Sequence, residues 1–271
     1  MKRLINKIKL FPNDNKKSKD ICCELERRLE IAGFEIVDNR YDLAIAIGGD
    51  GSFLRMVKNN VFDSETLYVG INAGTLGFLQ EISIEDIDIF IDRLNRNDFT
   101  IQTIGIQETK VTTSDGSISR FFSLNEIVVR EKNLKTAKLI IEIDNELLEK
   151  YVGDGILVST SIGSTAYNLS FGGSIVYDDL HTLQITPIAP LNTKSYRDVL
   201  NSIIIPENRT ITIKPTDGAN SLLISVDGEN NFYNDVVEIG TIVRNKKIKC
   251  VRMSNFSYAR KINEKFLSDK Q

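Results

Sequence analysis

The sequence has few of the residue types that several common kinds of active site require. Of its 271 residues, one is histidine (His181) and three are cysteine. A metal centre built from several histidines is therefore excluded, and a Ser-His-Asp hydrolase would have to use His181. Cys22, Cys23 and Cys250 are too few and too unevenly spaced for a disulfide framework or a zinc site. Any general acid or base is therefore expected to be a carboxylate.

Long apolar runs and a large excess of charge are also missing. No segment approaches the roughly 18 consecutive apolar residues that a membrane-spanning helix needs. The first nine residues are basic, but no apolar stretch with a small-residue cleavage site follows them. The formal net charge of −3 argues against electrostatic capture of nucleic acid or of an anionic membrane. We therefore expect a cytoplasmic protein with no nucleic-acid or membrane partner.

The first hundred residues alternate between strand and helix patterns. Apolar runs at residues 43–47 and 67–71 predict strands. Apolar residues at helical spacing predict a helix over residues 18–32, with Ser18 as its N-cap. Ser83 and Asp86 have the spacing of a capping box that opens another helix. This alternation predicts an α/β domain over residues 1–98, with an open parallel sheet and helices on its faces.

After residue 98 the pattern changes to short runs rich in β-branched residues. Turn dipeptides such as Asp144-Asn145 and Asp227-Gly228 separate these runs. Several strands at hairpin spacing predict an all-β, sandwich-like domain over residues 99–256. One helix is predicted inside it, at residues 164–171. The polar tail, residues 257–271, is expected to form a helix that returns to the N-terminal domain.

The sharpest local feature is a glycine loop between a strand pattern and a helix pattern. Gly48, Gly49 and Gly51 surround Asp50 directly after an apolar run. Glycines let backbone N–H groups approach phosphate oxygens, and ligands of open α/β sheets bind beyond the carboxyl ends of the strands. A carboxylate would repel a phosphate, so Asp50 indicates either a base or a bridge to Mg²⁺. A plain tight turn is the alternative interpretation of these residues.

Two further features lie in the β-rich part. The pair Asn125-Glu126 ends a strand pattern, and an amide beside a carboxylate can bind both donor and acceptor edges of a ligand. A Gly-Asp-Gly tripeptide at residues 153–155 precedes a predicted strand, after which Ser164 and Thr165 begin the predicted helix. Their hydroxyls could cap that helix or hold a ligand, and the sequence leaves both interpretations open.

Taken together, these residues resemble the NAD kinase family. The glycine loop at 48–51, the pair Asn125-Glu126 and the block at residues 153–173 follow the family's order and spacing, as do shorter matches further along. The resemblance covers residues 43–251, and the block around Thr165 is its most specific part. It implies an α/β domain paired with a β-sandwich, in a homodimer or homotetramer. The implied reaction transfers the γ-phosphoryl group of ATP to the 2′-hydroxyl of the adenosine ribose of NAD.

The resemblance also implies a role for each matching residue. Asp50 is expected to be the base that deprotonates the 2′-hydroxyl. The phosphates of ATP are expected near Gly48, Gly49, Arg55 and Lys138, and Mg²⁺ or another divalent cation is expected to arrive with ATP rather than to occupy a metal site of the protein. The expected NAD-binding residues are Asp50, Gly51, Asn125, Glu126, Asp154, Thr165, Ala166, Tyr167, Asn168, Leu169, Ser170 and Ala189.

One departure from the family pattern and two rival functions bear on this interpretation. Val152 stands where the family often has a basic residue, so either Lys150 or another subunit could supply the missing charge, or the phosphorylated product could bind more weakly. A lipid kinase of the diacylglycerol or sphingosine type would share the glycine loop, but the sequence shows no basic amphipathic helix. A non-catalytic NAD(P) sensor would gain nothing from the carboxylate of Asp50.

Overall fold

A computed structural model of the chain describes residues 3–74, 77–133, 135–194, 197–216 and 221–268. The chain divides into two compact units, one formed by Met1–Ile104 together with Lys247–Gln271 and the other by Gly105–Lys246. The chain passes from one unit to the other inside two long strands. The domain boundaries expected from the sequence, after residues 98 and 256, therefore stay predictions.

The N-terminal unit alternates strands and helices in its first hundred residues. Each apolar run of the sequence forms a strand, and each amphipathic stretch forms a helix that buries one face. In chain order the elements are β1 (Lys7–Pro12), α1 (Lys16–Ile31), β2 (Glu35–Ile36), β3 (Leu43–Gly48), α2 (Asp50–Asn59), β4 (Leu67–Asn72) and α3 (Ile87–Arg96).

The sequence pattern is wrong about where three helices begin. α1 begins two residues before Ser18, because the side chain of Asn15 accepts the N–H of Ser18 at 2.8 Å and caps the helix instead. α3 begins at Ile87, since the Ser83 hydroxyl donates to the carboxylate of Asp86 rather than capping a helix that starts there. The helix predicted at 164–171 is a 3₁₀ turn and one short α-helix, interrupted by the non-helical backbone of Ala166.

The second unit is built almost wholly from strands. Its elements in chain order are β5 (Phe99–Thr113), β6 (Ile118–Ser123), β7 (Glu126–Glu131), β8 (Ala137–Ile143), β9 (Glu146–Gly153), β10 (Gly155–Thr160), the 3₁₀ turn (Ile162–Thr165), α4 (Tyr167–Ser170), β11 (Thr182–Ile188), β12 (Ile203–Pro206), β13 (Ile211–Pro215), β14 (Leu222–Val226), β15 (Glu229–Tyr233) and β16 (Val236–Met253). The N-terminal end of β5 and the C-terminal end of β16 belong to the first unit.

The sheet of the N-terminal unit is parallel, as predicted. Its strands run in the order β2-β1-β3-β4, and the end of β16 continues it beyond β4 through the parallel pair Cys250 and Tyr68. β3 lies in the middle and is buried along its whole length. Leu25 and Leu29 of α1 and Phe90 of α3 pack with strand residues in one apolar cluster. The open parallel sheet with helices is therefore confirmed.

The second unit consists of antiparallel sheets that share one apolar core. Six strands form the order β12-β11-β10-β7-β14-β15, and β16-β13-β8-β9 form a second antiparallel set. Val129 of β7 and Ile156 of β10 pack in one buried cluster with Leu139 of β8 and Ile213 of β13. Side chains of both sheets thus fill a common interior, which confirms the predicted β-sandwich-like domain.

The C-terminal residues return to the N-terminal unit. Here Ser257 caps α5 (Tyr258–Ile262), because its side chain accepts the N–H of Arg260. A single π-helical turn (Asn263–Leu267) follows the helix. The ring of Phe78 contacts Tyr258 and Phe266 in this segment. The predicted helical tail that docks on the first domain is therefore confirmed for residues 257–268, the part of the tail that the structure describes. In the part of the chain that the structure describes, no helix combines the length and apolarity needed to cross a membrane.

Candidate functional site

The glycine loop lies at the carboxyl end of β3, the middle strand of the parallel sheet. Gly48 has a φ of +155°, and a Cβ atom there would lie 2.3 Å from Oγ of Ser52, so the turn requires glycine. α2 begins at once, with Gly49 as its N-cap and Asp50 as its first residue. The free N–H groups and the dipole at this helix start favour a bound anion.

The carboxylate of Asp50 is held by the segment that follows β4. Its Oδ2 accepts the N–H of Phe78 and its Oδ1 accepts the N–H of Leu79, each at 2.9 Å. The side chain of Gln80 donates to the carbonyl of Gly49 at 2.7 Å. An ionised carboxylate can accept about four hydrogen bonds, so this arrangement orients Asp50 and leaves acceptor positions for a ligand.

Gly77 makes this close approach possible. A Cβ atom on Gly77 would lie 2.1 Å from Oδ1 of Asp50, well inside van der Waals contact. Thr75 and Leu76, in the same loop, lie outside the described residues. The loop after β4 therefore packs its backbone directly against the predicted base.

Arg55 lies one turn into α2, on an exposed face of the helix. Its Nη2 donates to Oδ1 of Asn13 at 2.9 Å and to Oγ of Ser52 at 3.2 Å. Its Nη1 would be 3.6 Å from a Cβ atom on Gly51. Within the N-terminal unit, the structure thus brings together the residues predicted there, which are Gly48, Gly49, Asp50, Gly51 and Arg55.

In the second unit, Asn125 and Glu126 stand at the start of β7, held by a half-buried aspartate. The Asp227 carboxylate accepts the N–H groups of Leu124 and Asn125 at 2.8 Å and that of Glu126 at 3.2 Å. On the other side, the carbonyl of Asn125 accepts the N–H of Thr160 at 2.9 Å. Three successive N–H groups on one carboxylate fix the backbone that carries the predicted dinucleotide-binding pair.

The side chain of Glu126 is buried, and one of its oxygens, Oε2, has no hydrogen-bond partner in the protein. Burial raises the pKa of Glu126 to about 8, the nearby Asp227 carboxylate adds to the rise, and the N–H of Tyr167 opposes it. A cavity of about 380 Å³ is lined by Glu126, Tyr167, Arg130, Ser225 and neighbouring residues. A protonated carboxyl group at its wall can donate a hydrogen bond to a ligand.

The block from Thr165 to Ser170 contains both solvent-accessible and internal side chains. Tyr167 is exposed over 46% of its surface and packs edge-on against Phe171. Asn168 is fully buried, donates to the carbonyl of Ser164 at 3.1 Å and accepts from Thr186 at 2.6 Å. Ser164 is also buried, with its hydroxyl bonded to the backbone of Val176. Thr165, Ala166 and Leu169 are half-buried and Ser170 is exposed.

Asp154 and Ala189 lie close to each other beside β10. Asp154 is exposed, and its carboxylate is 3.7 Å from Nη2 of Arg130. The N–H of Asp154 donates to the carbonyl of Ile188, the last residue before Ala189. A Cβ atom on Gly153 would be 2.7 Å from the Ala189 carbonyl oxygen, so glycine permits this contact.

Lys138 lies directly opposite Val152 in the antiparallel pair of β8 and β9. Side chains at directly opposed positions on one face are neighbours, so a lysine stands beside the place where the family often has a basic residue. Val152 itself is buried and donates its N–H to the Asp198 carboxylate at 3.0 Å. Lys150, the other candidate for this charge, is opposite Ile140 instead.

Two further observations concern metal ligands and a second cavity. Among the described residues, no group of three or more His, Cys, Asp or Glu side chains is arranged to hold a metal ion. A cavity of about 980 Å³ in the N-terminal unit is lined by none of the predicted site residues, and its lining mixes carboxylates such as Asp38 and Asp63 with basic side chains such as Lys9 and Lys249. Cavity size alone does not identify the site.

Sequence reasoning assigned no role to several residues that hold the site in shape. They act on groups of residues far away in the chain, and nothing in their local sequence shows which groups these are. The turn dipeptide Asp227-Gly228 was the only signal for Asp227. The residues concerned are Gly77, Gln80, Asp227 and Lys261, whose ammonium donates to the carbonyls of Phe78 and Gln80.

Comparison with known proteins assigns the chain to a family. Residues 6–99 match the model of the ATP-NAD kinase N-terminal domain and residues 124–252 that of the ATP-NAD kinase C-terminal domain. The NAD kinase of Finegoldia magna is 38% identical over 267 residues, covering 96% of this chain and 97% of that protein. The structure is similar to that of yeast NADH kinase in complex with NADH, with a TM-score of 0.83 at 22% identity, covering 100% of this chain and 90% of the other. It is also similar to that of an NAD kinase from Archaeoglobus fulgidus in complex with ATP, with a TM-score of 0.74 at 21% identity, covering 95% of this chain and 99% of the other. This chain belongs to the ATP-NAD kinase family.

Proposed function

We propose that this chain transfers the γ-phosphoryl group of ATP to the 2′-hydroxyl of the adenosine ribose of NAD, with Asp50 as the general base. The observation that carries the role of Asp50 is its carboxylate, oriented at the start of α2 by the N–H groups of Phe78 and Leu79. Family membership and the names of the relatives support the reaction.

In the proposed reaction, Asp50 accepts the proton of the 2′-hydroxyl while that oxygen forms a bond to the γ-phosphorus of ATP. The bond between this phosphorus and the bridging oxygen breaks, and ADP leaves with the electron pair. Phosphoryl transfer has a loose transition state, so orientation of the acceptor and neutralisation of charge supply most of the catalysis. A positioned base is worth about 10²- to 10⁴-fold in rate.

The proposed NAD-binding residues form two groups, those that can contact the dinucleotide and one whose side chain is fully hydrogen-bonded inside the protein. Asp154, Thr165, Tyr167 and Ser170 have accessible surface, and Glu126 lines a cavity and has one carboxylate oxygen without a hydrogen-bond partner in the protein. These are proposed to contact the dinucleotide together with Gly51, Asn125, Ala166, Leu169 and Ala189. Asn168 has both ends of its amide bonded inside the protein, so we propose that it holds α4 in place for the others.

ATP is proposed to bring its own divalent cation, Mg²⁺ in the first instance, because the described residues provide no cluster of metal ligands. The N–H groups around Gly48 and Gly49, the guanidinium of Arg55 and the ammonium of Lys138 would contact phosphate oxygens. The cation would offset the negative charge of the phosphates beside Asp50. From the family resemblance we further propose a cytoplasmic homodimer or homotetramer.

The test supplies ATP and Mg²⁺ with either NAD or diacylglycerol and measures NADP or lipid phosphate. Wild-type protein is expected to form NADP. Asp50→Asn is expected to lower kcat by roughly 10²-fold or more, because the amide cannot accept the proton, while NAD still binds. Asp20→Asn, which neutralises an exposed aspartate on α1, is the matched control and should behave like wild type.

Each rival has its own outcome in this assay. Lipid phosphate without NADP would identify a lipid kinase, and NAD binding without any turnover would identify a sensor. Near-normal kcat in Asp50→Asn would remove this carboxylate from the mechanism and leave the reaction itself standing.

A further inference from the structure

The C-terminal segment, defined here as residues 256–267, packs against the backbone that holds Asp50. Nζ of Lys261 donates to the carbonyl of Phe78 at 3.1 Å and to that of Gln80 at 2.6 Å. The Phe78 ring lies 5.9 Å from the ring of Tyr258 and 5.5 Å from that of Phe266. One ammonium and two aromatic rings of this segment therefore contact Phe78 and Gln80, the residues on either side of Leu79.

Lys261 is part of a buried cluster of charges. Only 8% of its surface is exposed, and its Nζ lies 3.5 Å from Oε2 of Glu81. The same oxygen is 3.1 Å from Nη1 of Arg252, and Oε1 of Glu81 accepts the N–H of Met253. Burial and the neighbouring Arg252 together lower the pKa of Lys261 to about 8, although Glu81 and Asp50 oppose the shift. An apolar side chain would pack here without such a desolvation penalty, so packing alone does not account for a lysine.

A single peptide unit joins this lysine to Asp50. The carbonyl of Phe78 accepts a hydrogen bond from Lys261, and the N–H of Leu79, in the same peptide plane, donates to Oδ1 of Asp50. Because the peptide group is rigid and planar, fixing its carbonyl on one side also fixes the direction of its N–H on the other. A hydrogen bond to the carbonyl also polarises the group and strengthens the bond that its N–H donates.

We propose that Lys261 is a positioning residue for the phosphoryl transfer. Acting through the peptide between Phe78 and Leu79, it fixes the orientation of the Asp50 carboxylate for proton transfer. The C-terminal segment is thereby a working part of the catalytic apparatus. This inference rests on the proposed role of Asp50 as the base.

The test is a double-mutant cycle on kcat in the full-length protein. Lys261→Met keeps the length and apolar body of the side chain and removes the ammonium. It is expected to lower kcat roughly 10- to 100-fold, the scale of effect of a misplaced catalytic group, with the KM for NAD changed less than about twofold. In the Asp50→Asn background the same change is expected to have almost no effect, because both substitutions remove one function. Lys265→Met, at an exposed lysine of the same segment, is the control and should retain wild-type kcat.

The possible failures are distinguishable. If Asp50→Asn lowers kcat but Lys261→Met does not, or if the two losses multiply, the positioning role is wrong and the proposed function stands. If Asp50→Asn leaves kcat unchanged, the positioning role falls with the base. Should Lys261→Met fail to fold, Phe266→Ala removes a ring that is 42% exposed and is expected to lower kcat at least threefold at unchanged KM. Wild-type kcat in that variant would then overturn the proposal.

Discussion

Glu126 shows how one buried carboxyl group can relate binding to stability. Its burial and the neighbouring Asp227 carboxylate raise its pKa to about 8, whereas in the unfolded chain it titrates near 4.3. Between about pH 5 and pH 8 the folded protein therefore keeps a proton that the unfolded chain has lost. The folded state binds more protons in this window, so the free energy of unfolding falls as the pH rises. Above pH 8 the loss levels off.

Glu126→Gln tests this at the residue scale. The amide has the same shape and cannot ionise, so this contribution to the pH dependence disappears. In the absence of ligand, the stability of the variant relative to wild type is expected to rise from pH 5 to pH 8, by about 1 kcal/mol per pH unit at the steepest point. Urea unfolding at several pH values measures it, with Glu30→Gln on the exposed face of α1 as the control. Parallel curves for wild type and Glu126→Gln would contradict the raised pKa.

At the scale of elements, the start of α2 and the segment at residues 77–80 form one structure. The helix presents Asp50, and the segment supplies two N–H groups to its carboxylate and one side-chain amide to the carbonyl of Gly49. The approach depends on Gly77, because a Cβ atom there would overlap Oδ1 of Asp50. Gly74, in the same loop, has nothing within 4 Å of the corresponding position.

Gly77→Ala is therefore expected to displace the carboxylate while leaving the rest of the helix in place. A shift of about 1 Å at a catalytic group can cost roughly 10²-fold in rate, so kcat should fall by at least tenfold with little change in the KM for NAD. Gly74→Ala provides the matched control and should stay within about twofold of wild type. The measurement is initial-rate kinetics of NADP formation. Equal kcat values for the two variants would show that the contact at Gly77 does not control Asp50.

The elements themselves were largely predictable from apolar patterning. β3 and β4 begin at the predicted residues and end one residue beyond the predicted runs, because each run is largely buried. The start of α1 was not predictable from pattern alone, since both Asn15 and Ser18 are good caps and only the folded loop decides between them. The interruption at Ala166 depends in the same way on what the neighbouring strands require of α4.

At the scale of the whole molecule, motifs made of adjacent residues were predictable. Hydrogen bonds between residues far apart in the sequence were not. The glycine loop is a run of four adjacent residues, so the sequence alone predicts its position after a strand and the carboxylate that it contains. Asp227 and Lys261 act on backbone groups about 100 and 180 residues away. Their partners are set by the tertiary fold, and the residues next to them in the sequence do not identify these partners.

The two units also differ in how the chain builds them. The core of the second unit comes entirely from residues 105–246. The core of the N-terminal unit includes Val251 and Met253, which arrive from the end of β16, and β4 pairs with that strand through Tyr68. Residues 1–104 alone would therefore leave a strand edge open and part of their core exposed.

Fragments are expected to reflect this difference. Residues 105–246 should fold alone, with antiparallel sheet structure and cooperative urea unfolding, because their core is complete. Residues 1–104 should lack a cooperative transition. Joining them to residues 247–271 through a flexible linker of about 12 Gly and Ser residues should restore it, since the fusion supplies Val251, Met253 and the contacts of Lys261. Circular dichroism and urea titration of the three proteins test this. Cooperative unfolding of residues 1–104 by themselves would show that the C-terminal residues are not needed for the fold of the N-terminal unit, and would leave to them only the positioning of Asp50.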